Sequence, residues 1–533
     1  MDSNFNISEK FFQYKETLLE SKKYWLIYIV FIAIAFGSTL TNNNIAHPKF
    51  ELIMFPLIAL LGIFCITYYF RHNDDKELFK VAFVIILCFG LITSFIVPIC
   101  DVSDETEHFT RSEITSNGVI FPHWTGEDHN LTRSYNYTTG DKMEAFNREA
   151  GYVIPNSVNF FLTDFGKTVF QTSHDTDKID YTPSIAYSAF EQNPFYGYLP
   201  QAIGVVIAKL LDLNVIWMLW LGRIFNLLCY ASLISIAVKK VPDLKIPLLA
   251  VACIPITIYQ AASVSIDSMI CGLSILAVAY FIYMVKSPVE NRDIAIFAVI
   301  TLLLGLCKLP YLAFIFLLLF VPFKNYKDKT NSKKIIIISI LVAAILGMMW
   351  NEYATPTLMH SWRSYLFQVN ATAQAQYFLG NPARLGNFLF EIATTYPIKI
   401  INGVFNFYGW GPHGEHYNDH YLLITTAIQL FLLFVLFLYP HKIKFDLKTK
   451  IGSLAVMIAI YVAICWIQLL TWSNVGKIDL GVTIRYFIPL FAMIPILGGT
   501  TRWNDIKEID YYTVVLIIGF MAALILAFTT KYY

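Results

Sequence analysis

Apolar runs near the length of about 20 residues that crosses a bilayer recur along the whole chain. They occupy 24–42, 51–70, 79–98, 215–238, 246–262, 268–285, 294–306, 310–322, 335–351, 421–439, 451–471, 483–499 and 511–529. The pattern predicts about 13 transmembrane helices and an all-α polytopic membrane protein. The polar positions between the runs set an orientation. Lys10, Lys15, Lys22 and Lys23 precede the first run, Arg71, Lys76 and Lys80 lie between the second and third, and Lys239, Lys240 and Lys245 follow the fourth. Lys286 with Arg292, Lys324 to Lys334, Lys442 to Lys450, and Arg502 with Lys507 continue the series. All of them share one side if the amino terminus is cytoplasmic and the carboxyl terminus external, as the excess of cations in cytoplasmic loops requires.

That arrangement leaves two long segments facing outward, about 100–213 and 352–420. The chain then divides into a cytoplasmic start with two added spans (1–78), a core with the first external loop (79–351), the second external loop (352–420) and the last spans (421–533). Gln201 to Leu211 is amphipathic and too short to span, so it is expected in the membrane interface. Gln374 to Phe390 alternates at helical spacing, and Tyr408, Trp410 and Tyr417 argue that the second loop is structured, because aromatic residues are depleted in disorder. The runs 294–306 and 310–322 are short, roughly 20 Å each at 1.5 Å per residue, and their hairpin places Lys308 beside Pro310 and Tyr311.

Composition narrows the partners. The 533 residues are 56% apolar and only 14% charged, with 16% aromatic, and the mean hydropathy is +0.55, which makes the bilayer the principal surrounding. A net charge of +1 argues against nucleic acid, since there is no basic stripe to neutralise phosphates. The eight cysteines lie almost wholly in apolar segments and read as small hydrophobes rather than a disulfide or metal framework. The polar start shows no cleavable signal peptide, so the first span is expected to act as its own signal. There is no phosphate-cradling P-loop and no zinc-protease His-Glu pattern.

The candidate chemistry gathers in CDVSDETEHFTR, Cys100 to Arg111, where the third run leaves the membrane. If Ser103 caps a helix, Asp104 and Glu105 occupy its first turn, and Asp104, Glu107, His108 and Arg111 share one face. Such charges are either the solvated cap of a span or a functional face. Arg223 and Asn226 lie inside the fourth run, roughly 12 Å from its outer end. An arginine there either serves a site or pairs with an acid. Lys308 either snorkels or faces a site. Ser263, Ser265 and Asp267 lie on the same side, and Asp479 and Arg485 flank the entrance of the twelfth span. Outward acids beside Arg223, Lys308 and Arg485 suit a lipid-linked phosphate reacting at the outer leaflet, with the cations binding phosphate and a carboxylate accepting a proton.

Several motifs in order carry a resemblance: the run ending at Pro98 followed by Asp104-Glu105 and His108; NPFYGYLP before the interfacial segment; Gly222-Arg223 with Asn226; Pro255 with Ser265 and Asp267; Lys308-Leu309-Pro310-Tyr311; Gln374 to Pro382; and Arg485-Tyr486 with Pro489. On these the chain resembles, from about 80 to 500, the bacterial predicted membrane proteins grouped as domain of unknown function 2142, which look like members of the GT-C glycosyltransferase superfamily. The Asp-Glu pair is also similar to that of protein mannosyltransferases and lipid-A aminoarabinose transferases, where the acid is implicated in activating the acceptor. The resemblance implies a GT-C-like transmembrane bundle whose external loops carry interfacial helices. It also implies a polyprenyl-phosphate sugar donor, a cell-envelope glycan or lipid-linked acceptor, and transfer outside the cytoplasm. Asp104 is then the candidate base with Glu105 and His108 positioning it, Arg223, Lys308 and Arg485 hold the donor phosphate, and Asn226, Asp267, Tyr311 and Tyr486 contact substrate. Asp104 and Glu105 suit Mg²⁺ or Mn²⁺ as well as a metal-free base and its partner, and the reading favours no obligatory metal. The competing class is a transporter, flippase or ligase of lipid-linked saccharides, which would use the same cations.

Overall fold

A computed structural model of the chain describes all residues except 1–6, 46–47, 122, 125–147, 150–155, 157–163, 165, 173–175, 182–189, 191, 360–368, 406–420 and 500–506. Tyr408, Trp410 and Tyr417 of the second external loop lie outside the described residues. Among the described residues the regular elements are helices apart from a two-residue antiparallel pairing of His123–Trp124 with Arg148–Glu149. Each of the apolar runs falls on helical structure, and eight form single helices long and apolar enough to cross a membrane.

The chain opens with α1 (Ile7–Glu20), α2 (Lys22–Asn42), α3 (Phe50–Arg71) and α4 (Leu78–Ile96). α4 stops where Val97, preceding Pro98, turns extended, the conformation favoured for a residue before proline. α5 (Glu105–Ser116) carries the acidic stretch, and α6 (Leu199–Leu210) is the amphipathic segment ahead of α7 (Val215–Lys240). α6 lies close on α7 because Gly204 has no side chain: a Cβ there would meet the Leu221 carbonyl oxygen at 2.3 Å. Its other face exposes Leu199, Ile203 and Leu210, which suits a helix lying in an interface.

Proline also divides two of the runs. The fifth becomes α8 (Lys245–Ala252) and α9 (Pro255–Ala261), broken at Cys253 and Ile254 ahead of Pro255. After α10 (Asp267–Lys286), α11 (Asn291–Cys307) leads into a 3₁₀ helix, Leu309–Phe320. This hairpin is longer than its apolar residues suggest. A Glu290–Asp293 capping box extends α11 to 17 residues, about 25 Å, and a 3₁₀ helix rises about 2.0 Å per residue, so its 12 residues span about 24 Å. Then come α12 (Lys329–Met359), α13 (Ala371–Leu379), α14 (Pro382–Asn402), α15 (Leu422–Leu433), extended by a π turn at Phe434–Leu438, and α16 (Leu447–Thr471). The twelfth run is a chain of short turns, Ile484–Tyr486, α17 (Ile488–Phe491) and α18 (Ile494–Leu497), again punctuated by prolines. α19 (Lys507–Tyr532) closes the chain.

α19 is the centre of the bundle. Its apolar window is 94% buried, packed by α2, α3, α4, α8 and α9. The loops rich in Lys and Arg meet at one end. Lys23 lies 3.7 Å from Glu508, Lys240 pairs with Asp293, Lys245 donates to the Asp75 carbonyl, and the Asp243 carboxylate receives the backbone N–H groups of Lys442 and Ile443. At the opposite end Asn43 reaches Tyr421 and Thr530, and Tyr533 donates to the Ile96 carbonyl. The acidic stretch is at this second end.

Candidate functional site

The segment joining α4 to α5 is built from two tight turns. Asp101 N–H donates to the Pro98 carbonyl and Glu105 N–H to that of Val102, and the third residue of each turn, Cys100 and Asp104, has positive φ of 56° and 63°. Positive φ at that place is the type II signature, normally left to glycine or asparagine. Ser103 therefore does not cap the helix as expected. Asp104 takes the N-cap position in a left-handed conformation and sends its carboxylate away from the helix end, so it leaves the face shared by Glu107, His108 and Arg111.

Adjacent residues on a helix point about 100° apart, and the two acids separate completely. Glu105 turns inward to Arg223, with Arg223 Nε to Oε1 at 2.8 Å and Nη2 to Oε2 at 2.6 Å. Arg223 spends its remaining donors on the carbonyls of Ser94, Val97 and Pro98. Both side chains are sealed from solvent, at 1% and 0% exposure. The expected place of Arg223 in a phosphate ring, and of Glu105 beside a metal or an acceptor, does not match this geometry, since the guanidinium donors are all taken and both side chains are closed to solvent. Asn226 is likewise consumed, donating to the Ser263 and Ser265 carbonyls and accepting from Ser268, which fixes the turn leading into Asp267.

The remaining candidates converge. Arg485 donates through Nη2 to Asp104 Oδ2 at 2.5 Å and through Nη1 to the Ser103 carbonyl at 3.2 Å, and the same Nη1 lies 3.4 Å from Asp267 Oδ2. Its Nε is buried with no hydrogen-bond partner among the described residues. The Lys308 ammonium sits 3.1 Å from the centroid of the Tyr486 ring, and among the described residues it has no ion pair. Tyr486 in turn receives a bond from Arg485, and Tyr311 donates to the Tyr486 carbonyl at 2.6 Å. Tyr311 is fully buried, so it anchors the Arg485 turn rather than facing a ligand. Two acids thus balance two cations, and the cations keep spare donors.

His108 closes one side. Its ring stacks on Phe190 at 4.2 Å, and Nδ1 lies 2.7 Å from the Tyr198 hydroxyl. Because Asn193 already donates to that hydroxyl, the network is complete when Tyr198 donates to Nδ1 and the ring proton rests on Nε2. Burial holds the His108 pKa down at about 4, against the opposing pull of Asp267 and Asp104, so the ring is neutral at pH 7. Arg111 reaches the carbonyls of Val119, Ile120 and Asn193 and so braces the loop carrying Phe190. Tyr198 and Phe190 were not among the expected site residues, although NPFYGYLP pointed to their neighbourhood.

The fold and this constellation define an integral membrane protein with a mixed-charge site at the end opposite its basic loops. The family comparison agrees and is specific: residues 87–494 match the model of the predicted membrane protein family DUF2142, and the chain belongs to that family. No curated protein and no solved structure matches the chain.

Proposed function

We propose that the chain is a membrane glycosyltransferase that moves a sugar from a polyprenyl-phosphate donor to a cell-envelope acceptor, with Arg485 and Lys308 receiving the phosphate and Asp104 serving as base. One observation carries the reading: Arg485 holds Asp104 with part of its guanidinium while, among the described residues, Nε and the neighbouring Lys308 ammonium have no acid partner. A phosphate taken by those donors competes for the guanidinium and releases the Asp104 carboxylate toward an acceptor hydroxyl. The acceptor oxygen then bonds to the anomeric carbon, the bond from that carbon to the phosphate oxygen breaks with its electrons leaving on phosphate, and Asp104 takes the hydroxyl proton. Base help of this kind is worth about 10²–10⁴-fold. His108 and Asp267 flank the Asp104–Arg485 pair, and the buried pair of Glu105 with Arg223 fixes the segment that carries Asp104. Asp104 with Asp267 would be the carboxylates available to a divalent cation, because Glu105 is turned away.

Asp104→Asn keeps the shape and removes the base. In purified protein it is expected to lower transfer from a polyprenyl-phosphate sugar by about 10²–10⁴-fold while donor binding persists. Near-normal transfer by this variant sinks the assignment. The broken helices at Ile254 and Phe487–Leu497 also suit a transporter of lipid-linked saccharides, since such proteins use discontinuous helices. A transporter would keep moving its cargo in Asp104→Asn.

A further inference from the structure

We infer that Tyr532, near the end of α19, is a positioning residue that holds Asp104 in its working conformation through Asp101; this rests on the assignment of Asp104 as base. The hydroxyl of Tyr532 donates to Asp101 Oδ2 at 2.8 Å and accepts from Lys531. Tyr259 donates to the backbone carbonyl of the same aspartate at 3.2 Å. The two tyrosines belong to one aromatic column, with Phe528 stacked on Tyr259 at 5.3 Å and on Tyr532 at 5.8 Å. Asp101 closes the first of the two turns, and Asp104 sits in the second. Both turns carry a side chain at positive φ, a conformation that persists only where the surroundings over-determine it. The surroundings here are Arg223 on the carbonyls of Val97 and Pro98, Arg485 on that of Ser103, and the column on Asp101. Within the column, Phe528 and Tyr532 lie beyond the matched 87–494 region, whereas Tyr259 lies inside it.

Cys100 reports on the turns directly, being 1% exposed in the first of them. In a variant whose other cysteines are replaced, incorporated in lipid nanodiscs, Tyr532→Phe keeps the ring stack and removes the hydrogen bonds to Asp101 and from Lys531. It is expected to speed reaction of Cys100 with a small methanethiosulfonate on the order of tenfold. Tyr511→Phe, at the opposite end of α19, leaves the rate unchanged. Transfer by Tyr532→Phe, measured with the native cysteines, falls in kcat more than in KM, and Cys100→Gly, which relieves the positive φ, restores part of it. Unchanged thiol protection in Tyr532→Phe overturns the inference. Accelerated labelling with transfer unaltered keeps the clamp but removes its link to Asp104, and labelling is readable even if the chain transfers no sugar.

Discussion

At the scale of single residues, two acids adjacent in sequence have opposite fates, and each fate is measurable. Glu105 and Arg223 are a buried pair, and leaving one partner alone costs about 3–5 kcal/mol, whereas replacing both by apolar residues is often neutral. Arg223→Met is therefore expected to lower the thermal midpoint in detergent sharply, and Arg223→Met combined with Glu105→Leu to recover much of the loss. No recovery would mean that the pair does more than satisfy itself. His108 supplies a pH dependence with a definite sign. Its folded pKa of about 4 lies below the unfolded value of about 6.5, so the unfolded chain takes up the proton first. Stability is fully present above about pH 6.5 and drains away as pH falls toward 4. His108→Gln should flatten this part of the midpoint-against-pH curve, and a curve of unaltered slope would assign the loss to other groups. None of this was legible in DVSDETEH alone, because the acid that finds Arg223 and the acid that finds Arg485 are chosen by a backbone twist at Asp104 and by partners more than a hundred residues away.

Elements were far more legible than their contacts. Hydrophobic run length located the eight described helices long and apolar enough to cross a membrane but not α14, which is 21 residues long. The runs 246–262 and 483–499, expected as single spans, break at Pro255, Pro489 and Pro495. The 3₁₀ geometry of Leu309–Phe320 escaped, since an apolar run carries no mark of the rise per residue. The close approach of α6 to α7 escaped too, because a glycine on an amphipathic helix does not reveal what it lies against. That approach predicts an effect of a single methyl group. Gly204→Ala drives a Cβ to within 2.3 Å of the Leu221 carbonyl, so the helices must separate, at about 1–3 kcal/mol by the usual penalty for overpacking. Reduced monodisperse yield and a lowered midpoint are expected. Wild-type behaviour would show that α6 can slide without loss.

For the whole molecule, the contacts sort the loops into two ends, and we propose from the charge pattern that the basic end faces the cytoplasm. Thr372 and Asn331 are both exposed, and Asn331 belongs to the basic set. In a cysteine-free background, a cysteine at Thr372 should react with an impermeant maleimide added to intact cells, and one at Asn331 should not. The reverse pattern would turn the molecule over and place Asp104 in the cytoplasm, away from externally presented acceptors. The scale of the bundle was readable from hydropathy. Its centre was not, because α19 has the same composition as helices that face lipid.

The burial of α19 has a consequence for biogenesis. α2 and α3 pack against α19, which follows them by more than 400 residues, so the ribosome must add that length before these contacts can form. At about 5–20 residues per second this takes on the order of a minute, during which the earlier spans wait in the membrane with an unfilled seam. A chaperone or the insertion machinery itself has that long to guard the seam, and a chain stalled before Lys507 would present it to quality-control proteases as a marker of incompleteness.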